Sequence, residues 1–147
     1  MILSDVVNAG AIPTLHAAMS FAAQRQPLLA HNVANITTPG FRPVDVSVGD
    51  FQAALAKAVD RRREASGGTR GGLDFRSTSE VKLDRTGGVT IDPRTSMRSS
   101  VLFHDRSNRD LERTVQAMVE NATMFRATSD LLRSRLSMVK SAIGERV

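Results

Sequence analysis

The side chains best suited to metal binding or acid–base chemistry are three histidines, and they lie far apart in the chain: His16, His31 and His104. Two histidines that bind zinc from one helix lie four residues apart, a spacing that this sequence lacks. The chain has no cysteine, which excludes disulfides and thiolate chemistry, and no G-x-S-x-G nucleophile turn. Its glycine pairs at 67–68 and 87–88 lack the Lys-Ser or Lys-Thr of a phosphate loop. The sequence therefore predicts no catalytic residue, no metal and no cofactor.

A second candidate for chemistry is the arginine triplet at 61–63, in a chain whose formal net charge is +5. A basic helical protein that binds nucleic acid through such residues is one hypothesis for the function. Residues 61–72 are rich in Arg, Gly and Ser, which is typical of a flexible, solvated linker. We expect a charged linker there, and nucleic-acid binding is the alternative function.

The strongest pattern in the chain is a seven-residue repeat near its C-terminus. Its apolar positions alternate steps of four and three, and only Ser129 interrupts them. Such a repeat, sustained over more than four heptads, is typical of a coiled coil. It predicts one helix over 108–143, with a capping box at Ser107 and Asp110 and a stop at Gly144. The predicted seam residues are Leu111, Val115, Met118, Ala122, Phe125, Leu132, Leu136, Val139 and Ile143.

A similar but less regular repeat runs through the N-terminal part of the chain. Its positions again alternate steps of three and four, with Gln26 as the polar exception. Pro27 removes a backbone hydrogen bond and clashes with the preceding turn, so we expect either a kink or two helices that meet near Gln26. The breaker cluster at 37–40 ends the helix. The predicted seam residues of this part are Leu15, Met19, Leu29 and Val33.

The middle of the chain has no helical repeat of comparable length. Residues 50–59 predict a short helix, and β-type runs at 80–83 and 88–91, separated by a turn-like segment, allow a short β-hairpin. The expected fold class is mainly α, with long N- and C-terminal helices that form a coiled-coil-like pair and an irregular middle segment. The expected division of the chain is 1–41, 42–107 and 108–147.

Two amphipathic helices at opposite ends of a chain need partners that bury their apolar stripes. Each Leu, Met or Phe that becomes buried contributes roughly 1.5–3 kcal/mol, so exposed seams would forfeit much stabilisation. The two helices could pair with each other, parallel or antiparallel, or with helices of other copies. On the pattern alone, an intramolecular helical hairpin and self-association both stay open.

One short motif connects these patterns to a known family. Residues 32–35 (NVAN) and 38–41 (TPGF) resemble the N-terminal signature of bacterial flagellar rod, hook and related axial proteins, roughly N-[IV]-A-N-x-x-T-P-G-[FY]. Within that family, residues 41–46, 51–55 and 108–113 are most similar to rod proteins of the FlgB type. We take the motif as a candidate assembly site, made of Asn32, Ala34, Asn35, Thr38, Pro39, Gly40 and Phe41.

The resemblance implies a structural, non-catalytic subunit of the proximal rod, in the periplasmic part of the basal body. It implies export through the flagellar type III apparatus without a cleaved signal peptide, and terminal segments that fold on assembly. The implied partners are further copies, FlgC-type rod proteins, the basal-body protein FliE and the export gate, with neither nucleic acid nor a lipid anchor. In this interpretation Asn32 and Asn35 bond to carbonyls of the last helical turn, and Phe41 packs against a neighbouring subunit.

Overall fold

The computed structural model describes residues 10–84, 88–95 and 111–144, and within them the chain is mainly helical. The helices are α1 (Ile12–Ala34), α2 (Val48–Ser66) and α3 (Leu111–Gly144). The strands are β1 (Val44–Asp45), β2 (Val81–Leu83), β3 (Val89–Ile91) and β4 (Arg94–Thr95). They form two antiparallel two-stranded sheets, in which β1 pairs with β4 and β2 with β3. The predicted fold class, with long helices at both ends of the chain, is confirmed.

Helix α1 continues through Pro27 without a break and spans 23 residues. The expectation that two helices meet near Gln26 was therefore wrong. Proline leaves the carbonyl four residues before it without its helical partner. Here that residue is Ala23, which is exposed, so water can bond to the carbonyl. Tertiary packing of the opposite, buried face of α1 outweighs the low helix propensity of proline.

Helix α2 is longer than the short helix predicted at 50–59. It begins after Ser47, whose Oγ accepts a hydrogen bond of 3.2 Å from a first-turn amide. It ends at Gly67, whose φ of 66° is the left-handed conformation typical of a helix stop. The linker expected from residue 61 was therefore wrong as far as Ser66, because the Arg-Arg-Arg-Glu-Ala run consists of good helix formers.

Strands β2 and β3 form the predicted hairpin, with Val81 opposite Ile91 and Leu83 opposite Val89. The amide of Asp84 donates to the carbonyl of Gly88 at 2.9 Å and closes the pair. Residues 85–87 of the predicted turn lie outside the described residues. So do both members of the predicted capping box, Ser107 and Asp110.

The core lies where α1, α2 and the β2–β3 hairpin meet. Phe21 of α1 and Phe51 of α2 are fully buried, and their rings stack with centroids 4.0 Å apart. The ring of Phe75 lies 6.0 Å from that of Phe51, and Val81 and Val89 of the hairpin complete the buried cluster together with Val46. An aromatic side chain buries roughly 150–250 Å². The few aromatic residues of this chain thus stabilise the middle of the molecule more than the helix pair.

Helix α3 packs antiparallel on α1. Asn121 contacts Ala22 and Gln26, whereas residues 125–136, further along α3, line a groove with the earlier residue Met19. With about 1.5 Å of rise per residue, α3 extends past the start of α1 by roughly ten residues, or about 15 Å. Within the part of the chain that the structure describes, no helix is long and apolar enough to span a membrane.

Candidate functional site

The first asparagine of the motif, Asn32, joins the end of α1 to strand β1. Its Nδ2 donates to the carbonyl of Val44 at 2.7 Å, and its Oδ1 accepts from the amide of Val44 at 3.1 Å. The side chain is only 2% exposed. It therefore satisfies both backbone groups of Val44, as a neighbouring strand would. The expectation that Asn32 bonds to its own helical turn was wrong, because the packing of β1 against α1 gives it these partners.

The second asparagine, Asn35, ends helix α1. Its backbone amide donates to the carbonyl of His31 at 3.1 Å, and its Nδ2 donates to the same oxygen at 2.9 Å. The amide of Thr38 then donates to the carbonyl of Asn35 at 2.9 Å. Asn35 thus bonds to a carbonyl of the last turn, as was expected of it, and directs the chain into the following loop.

Residues 38–41 form a tight turn, closed by a hydrogen bond of 3.2 Å from the amide of Phe41 to the carbonyl of Thr38. Pro39 suits the second position of such a turn, and Gly40 suits the third because its φ is 73°. Thr38, Pro39 and Gly40 are exposed, whereas Phe41 is half-buried. The ring of Phe41 meets that of His31 edge-on at 5.6 Å, so part of this side chain packs on its own subunit.

An ion pair that the sequence reasoning missed supports this corner. The Nε and Nη2 atoms of Arg25 donate to the two carboxylate oxygens of Asp45 at 2.7 and 2.6 Å. Arg25 is 8% exposed, so the bidentate pair holds strand β1 against α1 in a largely dry environment. A signal was available, since Arg25 is the only Arg or Lys among the first 41 residues and a buried charge requires a partner.

The predicted seam of α3 lies beside the contact with α1 rather than at its centre. Within the described part of α3, Asn121 is the one fully buried residue. Its seam neighbour Ala122 lies about 100° further round the helix. Four seam residues are half-buried, namely Met118, Ala122, Leu132 and Val139. The other five are exposed: Leu111, Val115, Phe125, Leu136 and Ile143. Helix α1 therefore covers only one flank of the seam.

Further apolar side chains are exposed on other sides of α3: Val119, Leu131 and Met138. Together with the five exposed seam residues, they are all the large apolar side chains that are exposed within the described ranges. On α1, by contrast, Leu29 is buried and Leu15, Met19 and Val33 are half-buried. The candidate functional surface is therefore the outer part of α3, with the exposed tip of the 38–41 turn as a second exposed feature of the motif.

A polar contact between the two long helices was also missed. Asn121 Nδ2 donates to the carbonyl of Ala22 at 2.9 Å and to Gln26 Oε1 at 2.7 Å. The sequence identified Gln26 as a polar exception in its repeat. The partner, Asn121, escaped notice because it lies one position away from the seam of α3.

The arginine triplet is not a linker but the last part of α2, and each of its members has an internal partner. Arg61 makes an ion pair of 3.0 Å with Asp74, and Arg63 lies 3.6 Å from Asp60. Arg62 is 7% exposed and donates to backbone carbonyls of two other segments. Burial lowers the pKa of Arg62 from its ordinary value, although a guanidinium stays charged at physiological pH.

The remaining candidates for chemistry are not gathered into a site. His16 and His31 both lie on α1, and His104 lies outside the described residues. Among the residues that are described, no group of three or more His, Cys, Asp or Glu side chains could hold a metal ion. The geometry therefore directs attention to the apolar surface and the motif.

No protein-family model matches the chain. Similar curated proteins include the flagellar basal body rod protein FlgB of Salmonella typhimurium, which is 29% identical over 119 residues that cover 81% of this chain and 82% of that protein. FlgB of Proteus mirabilis is 27% identical over 134 residues, which cover 86% of this chain and 88% of that protein. FlgB of Escherichia coli is 43% identical over 49 residues, 33% of each chain. Two of these similarities extend from the motif-bearing N-terminal helix to the C-terminal one, and over most of its length the chain is thus similar to FlgB-type flagellar basal-body rod proteins.

Proposed function

We propose that the chain is a structural subunit of the proximal rod and that it assembles through α1 and α3. The observation that carries this proposal is the apolar surface of α3, where eight large side chains are 39–60% exposed. Soluble monomers rarely expose apolar surface in such concentration, and where they do it commonly marks an interaction site. Helices of neighbouring subunits, with their own apolar stripes, would cover this surface.

The free energy available from such assembly is comparable with the stability of a small domain. Full burial of one large apolar side chain contributes roughly 1.5–3 kcal/mol. About half of each of the eight side chains is still exposed, so completing their burial would contribute roughly 6–12 kcal/mol before the costs of association. A typical domain has a net stability of about 5–15 kcal/mol. The burial that assembly would complete on α3 therefore has a free energy of the same size as the net stability of one folded chain.

The motif has two parts in this proposal. Asn32, assisted by Arg25, acts within the subunit and fixes the direction of β1 relative to α1. The exposed residues of the 38–41 turn and the free side of Phe41 act between subunits. Some candidate assembly residues of the motif thus position the exposed 38–41 turn, and others contact a neighbouring subunit. The division of the chain into assembling ends, 1–41 and 108–147, and a middle part, 42–107, belongs to the same proposal.

The proposed partners are further copies of the chain, FlgC-type rod proteins, FliE and the export gate. The proposed location is the periplasmic rod, reached through the type III apparatus without a cleaved signal peptide. A chain without cysteine, in which 4% of the residues are aromatic, suits transport in an unfolded state. The role is structural rather than catalytic. The alternative of nucleic-acid binding lacks a supporting observation, because the arginine triplet already has partners within the subunit.

Electron cryomicroscopy of isolated basal bodies that contain the chain would test the proposal. We expect paired density for α1 and α3 in the rod, with Phe125 and Leu136 facing neighbouring subunits. A map in which that side of α3 faces solvent would contradict it. The salt dependence of binding distinguishes assembly from the alternative, nucleic-acid binding. Binding to phosphates weakens steeply as the salt concentration rises, whereas apolar association does not.

A further inference from the structure

We propose that Asn121 and Gln26 form a register pin, which fixes how α3 is aligned along α1. The alignment decides which apolar side chains α3 presents and at what height relative to the motif corner at Asn32. The importance of that presentation rests on the assembly function proposed above, whereas the alignment itself is a property of one chain.

The geometry of the contact is specific to one alignment. The carboxamide of Asn121 donates to a backbone carbonyl at Ala22 and to a side-chain oxygen one turn later, at Gln26. If α3 slid by seven residues in one direction, Asn121 would face Leu15 and Met19. A slide in the other direction would place it against Leu29 and Val33. These four residues have apolar side chains, so the second hydrogen bond would be lost in a nearly dry position.

The apolar residues alone do not select the alignment strongly. A shift of seven residues, about 10.5 Å, is close to two full turns of a helix, so it returns nearly the same face of α3 to α1. A buried polar pair breaks this near-equivalence, because a shift of seven residues in either direction leaves the carboxamide of Asn121 against apolar side chains. Single buried asparagines select register and orientation in coiled coils by the same mechanism.

The contact favours specificity at the expense of stability. Asn121 is 2% exposed, and its Oδ1 has no hydrogen-bond partner among the described residues. A buried acceptor without a donor destabilises the folded chain. Replacement of Asn121 by leucine should therefore maintain or raise the melting temperature and, at the same time, remove the preference for one alignment. A merely stabilising contact would produce the opposite change in melting temperature.

The displacement caused by a slip would reach the proposed assembly surface. The last ten or so residues of α3 lie beyond the start of α1 and carry the exposed side chains of Met138 and Ile143. A seven-residue slip would move them by about 10.5 Å relative to the corner at Asn32. A neighbouring subunit that binds at the corner would then find the apolar side chains of α3 displaced from its own contact surface.

Distance measurement between two spin labels tests the pin directly. The chain has no cysteine, so cysteines introduced at exposed Ala30 of α1 and exposed Ser134 of α3 carry the only labels. These positions lie roughly 28 Å apart along the helix axes, so a slip translates almost fully into distance. Labelled chains are diluted into a large excess of unlabelled chain, so that each distance is measured within one molecule in any state of association.

We expect one distance for the wild-type sequence and a second population, about 10 Å away, for Asn121→Leu. Ser129→Leu is the control, since it makes another polar residue of α3, one that is half-buried, apolar as well, and it should retain one distance. The exchanged pair Gln26→Asn with Asn121→Gln keeps both amides and should restore one distance. Three results would overturn the pin. Asn121→Leu could keep a single unchanged distance, or it could lose its helical circular dichroism. Ser129→Leu could also shift to a second distance. Failure to assemble with a single distance intact would instead count against the proposed function.

Discussion

Replacing Leu136 and Ile143 together by glutamine should weaken assembly and leave the fold of the single chain nearly unchanged. Both side chains belong to the seam of α3, and they are 44% and 56% exposed. Glutamine is a good helix former, so the substitutions remove apolar surface without breaking the helix. The variant therefore separates the stability of one subunit from the stability of the contact between subunits.

The magnitude follows from the exposed fractions. Full burial of a Leu or Ile side chain contributes roughly 1.5–3 kcal/mol, and about half of this remains available to a partner at each position. Replacing both side chains should therefore reduce the free energy of association by about 1.5–3 kcal/mol per subunit. This corresponds to an association constant that is about 10- to 150-fold lower. The unfolding free energy of the single chain should change by no more than about 0.5 kcal/mol, as is usual for surface substitutions.

Three measurements check this prediction. Sedimentation velocity over a range of concentrations gives the association constant, urea unfolding gives the stability of the single chain, and a swimming assay reports whether rods are built. The control variant, with Ser137→Gln and Ser141→Gln, changes two exposed polar residues of the same helix. It should associate and swim as the wild-type protein does.

Two results would refute the reasoning. If the double variant of Leu136 and Ile143 associates with wild-type affinity and supports motility, the seam is not an interface. If the variant instead loses several kcal/mol of unfolding free energy, the two side chains belong to the fold of the single chain and the separation between folding and assembly fails.

Two further substitutions test the core and the motif corner. Phe51→Ala should lower the unfolding free energy by about 3–5 kcal/mol, because the ring is fully buried. Phe125→Ala should change it by about 1 kcal/mol and mainly weaken association. If urea unfolding shows equal losses for the two variants, the core does not lie at Phe51. Asn32→Leu should destabilise the chain by about 1–3 kcal/mol, because both backbone groups of Val44 lose their partners. Asn35→Leu, at the helix end, should lower the melting temperature much less, and an equal effect of the two would contradict the corner.

Local patterns in the sequence predicted the elements that depend on neighbouring residues. The heptad repeat predicted α3, the breaker cluster at 37–40 predicted the end of α1, and the β-type runs predicted the β2–β3 hairpin. Each of these signals arises within a few turns or a few residues, where periodicity and backbone preferences act directly. The length of helix α2 was predicted too short, because the Arg, Gly and Ser content of residues 61–72 as a whole suggested a linker. The helix in fact continues to Ser66 and ends at Gly67.

The sequence by itself determined that this chain has two long amphipathic ends, with the axial signature at the end of the first helix, because periodicity and turn chemistry are local. Only the tertiary structure decided that α1 and α3 run antiparallel, that the core lies at Phe21 and Phe51, and that Asn32 bonds to β1. It also decided that Asn121, 95 residues from Gln26, occupies the centre of the helix contact. Such partners come from distant segments, and their pairing depends on how whole elements pack, which no local repeat encodes.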